Sequence, residues 1–356
     1  MVQSMTTASS EPSADVAAAE EHDRAGRHLE AVDCLVAGVR RGDVEATTRL
    51  GKRLLIGDRA PSLPNDGARF LQEASASGGA EAAALLAVLF GLGASKEHDL
   101  KAALGSLVTA AERGWPAACS QLRVLASDRA AAVAPASPAL WRQLGSTVDV
   151  ASLAGAVPGA SLSADPAIRL FASFATPEVC RWLIGRAEGR LSRALVYEAL
   201  RKEVTVNPTR TNTAAVFNLL DTDFVCVLTQ IRMAACLGVS IRQFEPITVL
   251  HYAEGEEITE HFDFVDPNVP DYDQELAAKG QRIATFLVYL NDDYGGGSTD
   301  FPRVSVSHKG CAGEALVFIN ALPDGSADVR TLHAGRPPQT GEKWIVSQFV
   351  RNRRVF

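Results

Sequence analysis

A spacing of 36 residues recurs through the first third of this 356-residue chain and limits how that part can fold. Glycine stands at this spacing at Gly42, Gly78 and Gly114 (78 − 42 and 114 − 78), and three apolar columns keep the same register. These columns are Ala46, Ala82 and Ala118; Leu50, Leu86 and Leu122; and Leu35, Leu71 and Leu107. One unit of this size cannot bury its apolar face alone, so neighbouring units must stack. The period predicts an α-solenoid over residues 28–128.

Each unit contains two segments rich in Ala and Leu, joined by a turn that reads Arg-Gly-Asp, Ser-Gly-Gly or Arg-Gly-Trp. Glycine can take the positive φ that ends the first helix, and small alanines let neighbouring helices approach closely. The region resembles Sel1-like repeats, which are relatives of tetratricopeptide repeats, with the last unit as a cap. That resemblance implies a concave surface that binds a protein or peptide. A packing extension that only stabilises the rest of the chain is the open alternative.

Two segments beside the repeats lack such periodicity. Residues 1–27 are rich in Ser, Thr, Ala, Glu and Asp without a basic start and apolar core, so we expect a disordered arm rather than a signal peptide. Residues 129–165 combine several prolines with Ala, Ser and Gly and predict a linker, with room for a short helix or strand around Trp141.

The last part of the chain, residues 166–356, changes to a strand pattern. Runs of β-branched and aromatic residues bounded by turn residues lie at 247–252, 283–290, 313–319 and 344–350. Helices are predicted before them, at 177–184 and 222–237, from apolar spacing. This pattern suits a double-sheet jelly roll with a ligand pocket between the sheets. The chain is therefore predicted to be a multidomain α + β protein, with a helical solenoid followed by a jelly roll.

Three side chains in this region have the composition of a metal site. His261 and Asp263 are two residues apart, and on a strand they project from the same face. His333 offers a second imidazole, and two His with one carboxylate suit Fe(II) and leave three adjacent coordination positions open. An isolated His-x-Asp is common and usually has no function. The competing imidazoles are His251, expected to be packed or at the surface, and His308, expected to face solvent before a Lys-Gly turn.

A lysine follows within an apolar strand. Lys343 is ten residues after His333 (343 − 333) in the run Lys-Trp-Ile-Val-Ser-Gln-Phe-Val. A lysine that points into an apolar barrel is costly unless it meets an anion.

Nine landmarks in one order give residues 166–356 a clear resemblance to the prolyl 4-hydroxylase group of 2-oxoglutarate and Fe(II)-dependent dioxygenases. They are 210–211, Glu245, Tyr252 with Gly255, 261–263, 289–291, 296–302, 313–318, 333–337 and 341–344. Two positions depart from the family pattern, since Ile258 stands where an aromatic residue is frequent and Ser298 where Glu is frequent. Neither belongs to the metal set, so they bear on substrate fit.

The resemblance implies a function for each landmark side chain. His261, Asp263 and His333 would hold Fe(II), and Lys343 would bind the distal carboxylate of the co-substrate 2-oxoglutarate. Tyr252 and Tyr289 would offer it hydroxyl groups, although both could be ordinary core aromatics. The resemblance also implies the double-stranded β-helix form of the jelly roll, and ascorbate as a reductant.

Composition limits the partners and the compartment. The chain has 35 basic and 42 acidic residues and a formal charge of −7, without a dense basic run, so a nucleic-acid partner is disfavoured. Six scattered cysteines without a CxxC pair predict reduced thiols in a cytoplasmic protein. No apolar stretch reaches membrane-spanning length, which disfavours a membrane protein.

The expected activity is 4-hydroxylation of a prolyl residue in a peptide or protein that the helical repeats recruit. Residues 265–281 are acidic and are expected to form a mobile loop over a basic or neutral peptide. Hydroxylation of a free amino acid or small metabolite is the alternative within the same chemistry. A repeat scaffold with a vestigial oxygenase domain is a third interpretation, and the oligomeric state stays open.

Overall fold

The structure is a computed structural model that describes residues 12–93, 98–128, 133–194, 196–198, 203–205, 209–269 and 272–355. The chain divides into two compact units, Met1–Val148 and Asp149–Phe356. In the described residues the first unit is helical throughout. Its helices are α1 (Ala14–Arg24), α2 (His28–Arg40), α3 (Val44–Ile56), α4 (Pro64–Ala76), α5 (Ala80–Leu92), α6 (Leu100–Glu112), α7 (Pro116–Leu125) and α8 (Pro138–Thr147).

The 36-residue period corresponds to helix pairs, as predicted. The repeated glycines Gly42, Gly78 and Gly114 fall between α2 and α3, α4 and α5, and α6 and α7, with φ of 79°, 102° and 83°. A Cβ atom at any of them would meet nothing within 4 Å, so the positive φ, and not crowding, favours glycine there. All nine residues of the three apolar columns are buried. The identity of the units as Sel1-like repeats stays a prediction.

The expected disordered arm is wrong for the residues that form α1. Ser13 accepts a hydrogen bond from the backbone N–H of Val16 and so caps a helix whose Val16 and Ala19 are buried against α2 and α3. These two apolar residues, three apart, form too narrow a stripe to mark a helix in the sequence. Residues 1–11 of that predicted arm lie outside the described residues.

The predicted linker 129–165 is also wrong over most of its length. Ser137 caps α8 at its N-terminus. Trp141 and Leu144 of this helix are buried where it packs on α6 and α7. Of the two alternatives left open around Trp141, a short helix or a strand, the structure has the helix, and it belongs to the helical unit. The boundary between the units lies at 148/149, and residues 129–132 lie outside the described part of the chain.

The second unit contains two antiparallel sheets. The larger has the strand order β1-β2-β13-β9-β16-β7-β6-β3 and the smaller has the order β12-β11-β14-β8. Two further pairs are β10–β15 and β4–β5. The strands are β1 (Ala160–Ser163), β2 (Ile168–Phe171), β3 (Ser192–Arg193), β4 (Val196–Glu198), β5 (Glu203–Thr205), β6 (Thr213–Phe217), β7 (Ile247–Tyr252), β8 (Ile258–His261), β9 (Arg282–Tyr289), β10 (Gly295–Gly296), β11 (Thr299–Phe301), β12 (Val306–His308), β13 (Ala315–Ile319), β14 (His333–Gly335), β15 (Pro338–Thr340) and β16 (Lys343–Arg351).

Helices flank these sheets. They are α9 (Val150–Ala154), α10 (Pro177–Glu188), α11 (Phe224–Leu237) and α12 (Asp273–Lys279), with 3-10 helices at Ile241–Gln243 and Val329–Thr331. The predicted helices at 177–184 and 222–237 and all four predicted strands are confirmed within a few residues. The expected loop 265–281 contains α12, while residues 270 and 271 lie outside the described residues.

The interior between the sheets explains where a site can form. Alternate residues of the central strands, Leu250 and Tyr252, Leu287 and Tyr289, and Ile345, form one buried cluster that also includes Phe301 of the smaller sheet. The opposite face of the large sheet meets α11, where Gln230 donates to Gln348 at 2.8 Å. This arrangement is the predicted jelly roll. Within the described part of the chain, no helix has the length and apolar character needed to span a bilayer.

Candidate metal and co-substrate site

The three predicted metal ligands come together at the smaller sheet. His261 ends β8 and His333 begins the neighbouring β14, where the two are register partners, and Asp263 follows two residues after His261. The His261 Nε2 atom lies 3.5 Å from Asp263 Oδ1, and His333 Nε2 lies 3.4 Å from Asp263 Oδ2. One ligand atom from each residue falls within 4.8 Å of the other two. His261 and Asp263 are close because they are neighbours in the sequence. The pairing of β14 with β8 brings His333 to them.

The backbone fixes the orientation of both imidazoles. His261 Nδ1 lies 2.8 Å from the carbonyl oxygen of Thr259, and His333 Nδ1 lies 3.0 Å from the carbonyl oxygen of Thr331. Since a carbonyl oxygen only accepts, each Nδ1 carries the proton and donates it. In a neutral imidazole held this way, Nε2 is the nitrogen with the lone pair, and it faces the triad, as is usual for a metal-binding histidine.

The charges of the triad also suit a cation. Burial, followed by the neighbouring His261, lowers the pKa of His333 to about 4, so its imidazole is neutral at neutral pH. Burial acts to raise the pKa of Asp263, but His333, His261 and the hydroxyl of Thr285 bring it well below its usual range. A neutral imidazole and a charged carboxylate are the forms that bind a metal without first losing a proton. Two such nitrogens and one carboxylate fit Fe(II).

Lys343 lies in the same interior as a buried cation. Its side chain is 1% exposed, and Nζ donates to the carbonyl oxygen of Gly297 at 2.7 Å. The rings of Tyr252 and Tyr289 lie 5.4 and 5.6 Å from the ammonium group. No carboxylate among the described residues forms an ion pair with it, and burial lowers the pKa of Lys343 to about 7. An anionic ligand at this point would meet a charge that the described residues leave unpaired.

The two tyrosines of the predicted site are placed differently from each other. Tyr252 lines the cavity, burial raises its pKa to about 12, and its hydroxyl has no hydrogen-bond partner among the described residues. The Tyr289 hydroxyl instead lies 3.0 Å from Thr299 Oγ1, and Thr299 lines the cavity. The Tyr252 hydroxyl can thus bond directly to a ligand in the cavity. The Tyr289 hydroxyl instead contacts Thr299, and Thr299 is the residue that faces the cavity.

One cavity of about 420 Å³ joins these groups. The metal triad, Lys343, Tyr252 and Thr299 line it together with apolar residues of the large sheet, which are Leu250, Leu287 and Ile345. Both competing imidazoles lie elsewhere. His251 lies between Thr213 Oγ1 and Glu342, each at 3.1 Å, and His308 lies 3.1 Å from Glu314 and is less exposed than expected.

Two supporting residues were missed in the sequence. Thr285 donates to Asp263 Oδ2 at 2.8 Å, and Asn320 donates to Thr285 Oγ1 at 2.9 Å. Thr285 is two residues before the inward-facing Leu287 and is the polar member of an apolar strand run. A polar residue among inward-facing apolar residues is a signal from which Thr285 could have been predicted to lie at the site. Asn320, at the end of β13, had no such signal because strand ends are commonly polar.

Residues 247–351 match the protein family described as the 2OG-Fe(II) oxygenase superfamily. These residues form a 2OG-Fe(II) oxygenase domain. The match spans β7 to β16, and all six side chains of the predicted site lie inside it. The oxygenase domain therefore contains both the metal-ligand set and the buried lysine.

Named relatives are similar to about half of the chain. Prolyl 4-hydroxylase subunit alpha-1 of Gallus gallus is 32% identical over 167 residues, which are 47% of this chain and 32% of that protein. Probable prolyl 4-hydroxylase 9 of Arabidopsis thaliana is 29% identical over 221 residues, which are 56% of this chain and 73% of that protein. The chain thus spans about a third of the length of its animal relatives.

Among solved structures, this chain is similar to the viral collagen prolyl hydroxylase of Paramecium Bursaria Chlorella virus-1, determined as a 2OG complex. That structure is 26% identical, covers 52% of this chain and 96% of its own, and has a TM-score of 0.40.

Proposed function

We propose that this chain is a 2-oxoglutarate- and O₂-dependent hydroxylase that acts on a prolyl residue of a peptide or protein. One observation carries the proposal, namely that a single cavity holds a two-His, one-carboxylate set and a buried lysine that has no acidic partner among the described residues. A metal alone would not require the lysine, and an anion alone would not require the triad. A metal-bound co-substrate with a distal carboxylate requires both.

The residues divide the work as follows. His261, Asp263 and His333 would hold Fe(II), and iron bound there would supply the activation of O₂ that couples oxidation of 2-oxoglutarate to succinate and CO₂ with hydroxylation of a C–H bond. Lys343 binds the distal carboxylate and fixes the co-substrate at one end, with Tyr252 as a hydroxyl donor. Leu250, Leu287 and Ile345 exclude water from this part of the cavity, which strengthens the contact of Lys343 with an anion.

An adjoining groove supports an extended substrate. A second depression of about 330 Å³ shares residues with the cavity and continues over β6 and β7 past Ala214, Val216 and Thr248. The shared residues are Arg210, Leu250, Arg282, Ser347 and Phe349. A peptide can place one residue in the cavity and its neighbours in this groove, whereas a free amino acid needs only the cavity. The relatives are named prolyl 4-hydroxylases, which supports proline as the target and C4 as the position.

The proposal also includes substrate recruitment, a reductant and a cellular location. The helical repeats recruit the protein substrate, and ascorbate would serve as the reductant for iron held at the site. All six cysteines are free thiols, which supports a cytoplasmic location.

The deciding experiment measures succinate release from 2-oxoglutarate with no substrate, with free proline and with proline-containing peptides. We expect peptide-stimulated turnover, a mass gain of one oxygen atom on the peptide, and loss of both in His261→Ala, Asp263→Ala and His333→Ala proteins. Near-normal turnover in all three variants would contradict the metal assignment. Stimulation by free proline alone would favour a small-molecule hydroxylase, and a protein that binds iron without any turnover would favour a vestigial domain.

A further inference from the structure

We propose that Thr285 and Asn320 are positioning residues that hold the carboxylate of Asp263 in one orientation for the metal. This inference rests on the proposed function, because it assigns a role toward the iron of that site. It concerns a ligand that has less support from the backbone than the two histidines have. Each histidine donates its Nδ1 proton to a carbonyl oxygen two residues earlier in the chain, whereas the Asp263 carboxylate has the side chain of Thr285 instead.

The contacts form a buried chain of three side chains. Thr285 Oγ1 lies 2.8 Å from Asp263 Oδ2 and 2.9 Å from Asn320 Nδ2. Thr285 and Asn320 are both fully buried, and Asp263 is nearly so. Water therefore does not compete for these bonds. These three side chains come from the residue after β13, the middle of β9 and the second residue after β8, so three segments of the barrel determine where the carboxylate points.

The direction of each hydrogen bond follows from the chemistry of the groups. An ionised carboxylate only accepts, so the single hydroxyl proton of Thr285 goes to Asp263 Oδ2. The Thr285 oxygen must then accept from its other neighbour, and only the amide nitrogen of Asn320 can donate. Neither residue can reverse its role while Asp263 is charged. The bond from Thr285 to Oδ2 thus restricts rotation of the Asp263 carboxylate about its last side-chain bond.

The side-chain amide of Asn320 carries an energetic penalty that the stability of the fold does not explain. Its Oδ1 atom is buried and has no hydrogen-bond partner among the described residues. An unsatisfied buried acceptor destabilises a fold, and an apolar side chain of similar size would remove that penalty. The amide is therefore best explained by the one proton that it donates to Thr285.

The backbone of Asn320 extends the same support to a histidine ligand. Its carbonyl oxygen accepts from the N–H of Asp328 at 2.9 Å, and Asp328 caps the 3-10 helix Val329–Thr331. The carbonyl oxygen of Thr331 then accepts the Nδ1 proton of His333. Asn320 thus connects to Asp263 through its side chain and to His333 through its main chain.

The test compares Mn(II) affinity, measured by electron paramagnetic resonance without 2-oxoglutarate, in wild type and two Thr285 variants. Thr285→Val keeps the shape but removes the hydroxyl, and we expect Mn(II) affinity to fall by roughly 10–100-fold, as for other residues that orient metal ligands. Thr285→Ser keeps the hydroxyl and should bind close to wild type. The matched control is Thr229→Val, which removes a buried hydroxyl that bonds to the carbonyl oxygen of Val225 on α11 and should leave Mn(II) affinity unchanged.

Asn320→Leu provides an independent readout if Thr285→Val fails to fold. This change removes the unsatisfied acceptor, so we expect a folded protein with thermal stability at or above wild type but weaker Mn(II) binding. In the Thr285→Val background the same change should add little, because its path to Asp263 is already lost. Wild-type Mn(II) affinity in Thr285→Val or in Asn320→Leu would overturn the proposal. Failure of the wild-type protein itself to bind Mn(II) or Fe(II) would instead refute the proposed function.

Discussion

At the scale of single residues, Lys343 is the clearest sign of what the cavity binds. A lysine in an apolar interior is rare because burial disfavours its charged form. Here the ammonium group has one carbonyl partner and two aromatic rings, and burial lowers its pKa to about 7. A dianionic co-substrate supplies the missing negative charge. Binding of that co-substrate should therefore depend on both the side chain and the pH.

We expect Lys343→Met to raise the KM for 2-oxoglutarate by roughly tenfold or more, since one charge-assisted contact is lost while the length of the side chain is kept. Steady-state succinate formation over a range of 2-oxoglutarate concentrations measures this change. Fe(II) affinity without co-substrate is the control and should stay close to wild type, because Lys343 does not contact the triad. An unchanged KM would assign the anchoring contact to another residue.

The pH dependence of the same contact has a defined sign. The pKa of Lys343 is lowered in the free protein, so above about pH 7 part of the population is neutral and must take up a proton to bind an anion. Affinity for 2-oxoglutarate should then decrease as the pH rises from 7, with proton uptake visible in calorimetry when buffers of different ionisation enthalpy are compared. Lys343→Met should abolish that uptake, and a wild-type protein without uptake at pH 8 would contradict the assignment.

At the scale of elements, sequence pattern was informative where an element is long and periodic. The strand at 247–252 and the helix at 222–237 were predictable because each has an unbroken apolar pattern. Short elements such as β10, β11 and β14 have two or three residues, which is too few to show a period. The position of His333 depends on one of them, so the ligand set could be suggested from residue type but its assembly needed the strand order. Thr285 and Asn320 depend on cross-strand contacts and were not found.

The turns between the paired helices allow a direct test of the repeat interpretation. Gly78 is exposed and has φ of 102°, so Gly78→Ala should destabilise the helical unit by about 1–2 kcal/mol through backbone strain alone. Gly105 is the matched control, since it is exposed within α6 and also has open space around it. Gly105→Ala should stabilise by about 0.5–1 kcal/mol. Urea unfolding followed by far-UV circular dichroism compares the two, and equal effects would contradict the turn assignment.

At the scale of the whole molecule, the boundary at 148/149 defines what an isolated oxygenase domain must include. Helix α9 packs on α11, and Arg232 of α11 donates to the carbonyl oxygen of Ser152 in α9. A fragment that begins at the end of the predicted linker would lose this helix and strand β1. The structural boundary thus corrects the sequence prediction in a way that matters for experiment.

We expect residues 149–356 alone to bind Fe(II) and 2-oxoglutarate and to hydroxylate short proline-containing peptides at near-full rate. The same fragment should act poorly on a full-length protein target if the repeats raise the local concentration of that target. Parallel succinate assays on peptide and protein substrates measure the difference. Equal loss on both substrates would show that the helical unit stabilises the catalytic domain and does not recruit.

The shared register of the apolar columns has a consequence for how such a protein can change over generations. Because Ala46, Ala82 and Ala118 occupy equivalent buried positions 36 residues apart, an internal duplication of one whole unit would present the same contacts to the helices on either side. Gene duplication within this segment can therefore lengthen or shorten the solenoid in steps of one helix pair. If the repeats recruit the substrate, such steps would change the size of the recruiting surface without any change in the oxygenase sequence.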